Sequence, residues 1–245
     1  MKNKILLYSG GMDSWLINKI WKPDILLYVD LNGRYNAEEM KHLPPECKVV
    51  KLDLSAYERE DKIIPLRNLY LVMLASNYLA DEGGEICLGA TAGDRVLDKS
   101  YAFAEKASDI LSYLYSEQWW NPIAKDVKIC LDFKDKTKVD LVEMYVKMGG
   151  SVDEVWEKSF SCYEPHADGT VCYACKPCFR KAVACWKAGF TNFNNDALLN
   201  LHNYIGVEII PDINAGTYGR GEKEEQEIKD FYNWLSDKVA ETSGF

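Results

Sequence analysis

Two stretches of the 245-residue sequence hold residue types whose spacing suits chemistry. The first is Ser9-Gly10-Gly11-Met12-Asp13-Ser14, set between the apolar runs KILLY and WLINKIW. Adjacent glycines between serines give a nest of backbone N–H groups and two hydroxyls, which attracts an anion when a helix starts there. The nest suits a compact, doubly charged group such as pyrophosphate, and Asp13 within it suits a Mg2+ ion beside the phosphates. A plain strand-to-helix turn, capped by serine and aspartate, uses the same residue types. The string is not the Walker pattern, because no Gly-Lys-Ser/Thr follows, and it is not G-x-G-x-x-G.

The second stretch contains Cys162, Cys172, Cys175 and Cys178, spaced C-x9-C-x2-C-x2-C. Thiolates two residues apart turn toward one ion, and a fourth from a nearby loop completes a tetrahedron. Zn2+ is the first choice, and a four-iron cluster is the second. His166 reads as a solvated loop residue. Cys185 reads as a buried helical thiol, and Cys47, Cys87 and Cys130, in apolar segments, read as buried thiols too.

These residues need a scaffold. Residues 4–9, 24–30, 47–53, 85–90 and 126–133 read as buried strands; 14–21, 67–83, 101–118 and 137–150 have helical apolar spacing. Alternation of this kind predicts a doubly wound, mostly parallel α/β sheet. Beyond about residue 150 the pattern changes to the cysteine cluster with a short helix, a helix over 194–206, a Gly/Pro/Asp-rich loop over 211–221 and an acidic amphipathic helix over 222–241. The division expected is 1–150, an α/β domain, and 151–245, a helical region bearing the cysteine cluster. The terminal helix is suited to packing or to pairing in a homodimer.

A net charge of −9 speaks against stable binding to nucleic acid. No apolar run is long enough for a bilayer, and the short N-terminal run before the glycine turn does not read as a secretion signal. The expectation is a cytoplasmic protein with reduced cysteines.

The string SGGMDS resembles the phosphate-binding loop of the PP-loop N-type ATP pyrophosphatases. These enzymes cleave ATP between the α and β phosphates, form an adenylate, and let a nitrogen or sulfur nucleophile displace AMP. Together with Ser161-Cys162-Tyr163 and the C-x2-C-x2-C run, it resembles the 7-cyano-7-deazaguanine synthases of queuosine precursor synthesis, over residues 5 to about 185. Further matches are Gly33 and Glu39 in NGRYNAEE, Pro65 to Asn68, Gly89 with Asp94, and Thr137-Lys138. The chain departs from the pattern at Arg34 and Asn36, and in Leu97-Asp98-Lys99-Ser100, where many members carry Y-P-D-C-R.

The resemblance implies a PP-loop, adenine nucleotide alpha hydrolase-like fold and an ATP-dependent ligase that joins ammonia to 7-carboxy-7-deazaguanine. It implies that Ser9, Gly10, Gly11, Asp13 and Ser14 hold the ATP phosphates, with Tyr8, Met12, Asp30 and Gly89 lining the nucleotide. Arg67 and Lys138 are then placed to offset charge on departing pyrophosphate, Asp13 to act with Mg2+, and Arg67, Asn68 and Asp94 to hold the substrate. Zinc on the four cysteines would be structural. Three rivals remain: a variant that stops at the amide or acts on another carboxylate, a tRNA-modifying PP-loop enzyme, and a non-catalytic zinc-bearing interaction module.

Overall fold

The computed structural model describes residues 2–61 and 63–243, with backbone only at 242 and 243. It divides into two compact units, Met1–Asp135 and Lys136–Phe245.

The first unit is built on five parallel strands, β1 (Asn3–Leu7), β2 (Ile25–Asp30), β3 (Lys48–Lys51), β4 (Gly83–Cys87) and β5 (Asp126–Cys130), in the order β3-β2-β1-β4-β5. Parallel neighbours need crossovers. These are α1 (Met12–Trp21), α2 (Asn36–Met40), α3 (Arg67–Ser76) and α4 (Tyr101–Leu114). The register sets Leu6 beside Cys87 and Leu7 beside Leu27. Ile5, Leu27, Val29, Ile86, Val127 and Ile129 from the strands form one core with Val72, Ala75, Ala104, Ala107 and Leu111 from the helices. The chain winds outward from β1 to β3, then crosses back to β4. The order therefore reverses between β1 and β4, and the crevice of such a sheet opens there, beyond the carboxyl ends of the strands.

Four local features depart from the sequence reading. Helix α3 ends at Ser76 rather than near 83, because Ser76 and Asn77 side chains bond back to the last carbonyls, Met73 O at 2.7 Å and Leu74 O at 3.2 Å. β4 starts at the glycine pair 83–84. A Cβ there would lie 2.0 Å from Asp126 O or Asn3 O, so only glycine lets the backbones of β1, β4 and β5 approach this closely. The loop expected from 211 is helical to Asn214, since Pro211 sits in the first turn of its helix, where no N–H is needed. Cys47 is half-buried in the turn before β3 rather than in the core.

The second unit is helical: α5 (Lys138–Lys147), α6 (Val152–Lys158), α7 (Lys176–Lys187), α8 (Asn195–Tyr204), a π turn (Ile205–Ile209), α9 (Ile210–Asn214) and α10 (Glu222–Ser243). The helix over 137–150 groups with this unit and not with the sheet: α5 packs on α7, and Asp140 pairs with Lys223 of α10 at 2.7 Å. A Thr137–Asp140 capping box starts α5. Phe179, Ala182, Ala184 and Cys185 bury one face of α7, with Trp156, Phe190, Phe193 and Phe231 in contact as an aromatic cluster. Buried Lys181 donates to Trp156 O at 2.7 Å and to Ser159 O, closing the end of α6, and burial draws its ammonium down to about 8. Among the described residues no helix is long and apolar enough to cross a membrane.

Candidate active site and metal centre

β1 delivers the chain to the glycine turn at the centre of the crevice. Tyr8 N–H still bonds Leu27 O at 2.9 Å, and then Gly10 turns the backbone at φ +75°. Gly11, extended, caps α1, and its carbonyl takes Trp15 N–H at 2.9 Å. The two serines meet across this turn: Ser14 Oγ donates to Gly11 O at 3.0 Å, accepts Ser9 N–H at 3.3 Å, and lies 3.3 Å from Ser9 Oγ. Asp13 stands half-buried in the first turn of α1. Met12 and Tyr8 are buried, and burial, with Cys47 and Glu46 nearby, pushes the Tyr8 phenol up to about 12. Asp30 ends β2, where its carboxylate accepts Asn32 N–H at 2.9 Å.

A second segment lies against this turn. A Cβ on Gly10 would sit 3.2 Å from Glu39 O and 3.5 Å from His42 Cβ. The side chains of α2 are held by β2: Asn36 donates to Tyr28 OH at 2.6 Å, Tyr28 OH donates to Glu39 Oε2 at 3.0 Å, and Gly33 N–H donates to Asn36 Oδ1 at 2.8 Å. Burial raises the Glu39 carboxyl, while the Tyr28 hydrogen bond and the Arg67 charge oppose it. Sequence reasoning did not single out this network. Asn36 stood as a departure, and Tyr28 was one apolar strand residue among several. The one available signal was Glu39, kept eleven residues after Tyr28.

Across the reversal point, β4 leads to Gly89 at φ +56°, whose Cβ would meet Ile17 Cδ1 of α1 at 3.7 Å. Asp94 follows. Its Oδ2 accepts Thr91 N–H at 3.2 Å and pairs with Lys99 Nζ at 3.0 Å, and its carbonyl takes Lys134 Nζ at 2.7 Å. Arg67 is exposed at the first position of α3, and buried Asn68 gives its N–H to Asp98 Oδ2 at 3.3 Å. The first unit thus sets residues 8–14, 30, 67, 68, 89 and 94 along the carboxyl edge of the sheet. Lys138 belongs to the second unit, as the first residue of α5 after its Thr137 cap.

The second unit also brings the four cysteines together. Sγ atoms of Cys162, Cys172, Cys175 and Cys178 all lie within 4.8 Å of one another. The pairs 162–172, 175–178 and 172–178 are 3.5, 3.4 and 3.9 Å apart. Four sulfurs at about 2.3 Å from zinc make a tetrahedron with edges of about 3.8 Å, so this donor set fits the ion. Backbone helps as well: Cys172 N–H points to Cys162 Sγ at 3.5 Å and Ala174 N–H to Cys172 Sγ at 3.4 Å. The Cys178 hydrogen bond pulls the Cys175 thiol down to about 5, whereas burial pushes Cys172 up to about 12. His166 is exposed and outside the group, and Cys185 is buried in α7.

Comparison with known proteins adds sequence relationships to this geometry. The model of the family described as queuosine biosynthesis protein QueC matches residues 35–189. The 7-cyano-7-deazaguanine synthase of Archaeoglobus fulgidus is 27% identical over 200 residues, covering 80% of this chain and 77% of the relative. The 7-cyano-7-deazaguanine synthase 1 of Colwellia psychrerythraea is 25% identical over 214 residues, covering 74% of this chain and 92% of the relative.

Proposed function

The chain belongs to the family of queuosine biosynthesis protein QueC, and from that premise we propose that it is an ATP-dependent ligase converting 7-carboxy-7-deazaguanine and ammonia to 7-cyano-7-deazaguanine. The observation that carries the reading is the Ser9–Ser14 glycine turn at the β1/β4 reversal point. Backbone N–H groups and two hydroxyls meet there at the start of α1, where a leaving pyrophosphate is stabilised.

In this reading a carboxylate oxygen of the substrate attacks the α phosphorus of ATP and pyrophosphate departs. Ammonia attacks the acyl carbon, loses a proton, and AMP leaves with the C–O electrons, giving the amide. The amide oxygen then attacks the α phosphorus of a second ATP and pyrophosphate departs, and loss of AMP and of both nitrogen-bound protons leaves the nitrile. Ser9, Gly10, Gly11, Asp13 and Ser14 hold phosphates, with Tyr8, Met12, Asp30 and Gly89 around the nucleotide. Asp13 takes the Mg2+ ion. Arg67 and Lys138 offset the charge of pyrophosphate, and Asn68 and Asp94 hold the substrate. Zinc on the four cysteines is structural. The protein works in the cytoplasm, as a homodimer, without stably bound nucleic acid.

The test is incubation with ATP, Mg2+, ammonium and 7-carboxy-7-deazaguanine, with products read by mass. The nitrile is expected, with the amide as an intermediate, and Asp13→Ala is expected to abolish AMP release while leaving the circular dichroism spectrum intact. Reaction ending at the amide would overturn the product assignment. AMP appearing only with tRNA and a sulfur or lysine donor would overturn the substrate.

A further inference from the structure

The sequence leaves the family pattern at Leu97-Asp98-Lys99-Ser100, and the structure places that stretch in the segment that follows the carboxyl end of β4. Residues Leu97–Lys99 form a single 3₁₀ turn between the loop that leaves β4 and the start of α4. The turn is fixed on three sides. Asp98 holds the first turn of α3 through Asn68 N–H, Ser100 caps α4 by accepting Phe103 N–H at 3.1 Å, and Lys99 pairs with Asp94. Lys99 and Asp94 side chains are only 19% and 22% exposed, so the pair is largely withdrawn from water yet still reachable. Beside it Leu97 stands 86% exposed, an apolar side chain without cover in the described residues.

We propose that Lys99 and Asp94 together read the six-membered-ring edge of the acceptor and select a 6-oxo over a 6-amino ring. The inference rests on the ligase reading above and adds what this chain's own substitution does there. A 6-oxo ring presents a carbonyl acceptor next to a ring N–H donor. An ammonium beside a carboxylate, 3.0 Å apart, is the complement of that pair: Lys99 Nζ donates to the oxygen and the Asp94 carboxylate accepts the N–H. A 6-amino ring reverses both polarities, setting an amino group against the ammonium and a nitrogen lone pair against the carboxylate. In a partly desolvated site that mismatch leaves charged groups unpaired and is costly. The position agrees with the topology. The glycine turn occupies the β1 side of the reversal point, and the Asp94–Lys99 pair lies on the β4 side, where an acceptor must sit to meet the phosphates. Leu97 offers an apolar surface for a flat ring.

The experiment measures AMP release with 7-carboxy-7-deazaguanine and, separately, with its 6-amino counterpart, the 2,6-diamino compound 2-amino-7-carboxy-7-deazaadenine, under ATP, Mg2+ and ammonium. Wild-type protein is expected to favour the 6-oxo compound in kcat/KM by about ten- to a hundredfold, the discrimination expected of one good two-point polar contact. Lys99→Met should cut that ratio at least tenfold, chiefly by raising KM for the 6-oxo compound, while Lys99→Arg, which keeps a cationic donor, should retain most of it. An unchanged ratio in Lys99→Met, with AMP release intact in wild type, overturns this inference and leaves the ligase reading standing. No AMP with either compound in the wild type overturns both. Equal melting temperatures of the Met and Arg variants would assign the difference between them to recognition, and a ratio lost equally in both overturns the donor role.

Discussion

Replacing Gly10 by alanine should damage catalysis more than folding, and the structure indicates by how much. Gly10 adopts φ +75°, where an L side chain costs about 1–2 kcal/mol. The added Cβ would also lie 3.2 Å from Glu39 O and 3.5 Å from His42 Cβ. Backbone cannot swing aside as a long side chain can, so the segment after α2 must retreat by a few tenths of an ångström. The expected loss is about 1–2 kcal/mol of stability, or about 0.5–1 M in the urea midpoint for a slope near 2 kcal/mol/M. Activity should suffer more, because shifts of about 1 Å around a reacting centre cost up to about a hundredfold. AMP release under saturating ATP is expected to fall at least tenfold. Gly149→Ala is the control. Gly149 has φ +92° and a Cβ there would meet nothing within 4 Å, so it carries conformational strain without a steric push. Its stability loss should be similar, with AMP release unchanged. If Gly10→Ala loses no more AMP release than Gly149→Ala, contact between the glycine turn and the α2 segment has no part in phosphate placement.

The metal makes a separate prediction: purified protein should contain about one zinc per chain, Cys175→Ser should lower both zinc content and melting temperature, and iron with sulfide would refute the zinc assignment. Glu227, buried on α10 near Lys223, Asp140, Glu224 and Lys187, is pushed by burial from 4.5 up to about 7. A carboxyl raised on folding contributes stability below its unfolded pKa and loses it as pH climbs through the folded value. Glu227→Gln should therefore stabilise by about 3 kcal/mol at pH 8 and by less than about 1 kcal/mol at pH 5. An equal gain in urea unfolding at both pH values would refute this.

Much of this architecture can be read from local chemistry. The five apolar runs become the five strands, because a parallel sheet covered on both faces needs continuous burial, and KILLY or ILLYVD supplies it without long-range information. The cysteine cluster is equally local, with all four ligands inside 17 residues of chain. What escaped the sequence reading depends on residues far apart. The pair Gly83-Gly84 resembles a helix stop, and nothing nearby says that the backbones of Asn3 and Asp126 will come so close that only glycine fits. Read from sequence, the helix over 137–150 falls at the end of the α/β domain. Its apolar face fits either partner, and only the packing on α7 and the Asp140–Lys223 pair assign it to the helical unit.

The site divides along the same line. The glycine turn is legible because it lies in six consecutive residues. The network from Tyr28 through Asn36 to Glu39 is not, because its meaning lies in hydrogen bonds between a strand and the helix that follows it. Here a departure from the family pattern became structural evidence. Asn36, one of the departures, bonds Tyr28 OH at 2.6 Å, and Tyr28 OH in turn holds the Glu39 carboxylate at 3.0 Å, while the Glu39 backbone lies against the glycine turn. Lys99, in the departing stretch Leu97–Ser100, likewise makes a specific pair with Asp94. Both replacements are polar side chains with defined partners at the crevice. A chain that had lost catalysis would have no physical requirement to keep a left-handed glycine and a hydroxyl pair beside one another. That argument favours an active ligase with adjusted recognition over a binding module built on an inactive fold.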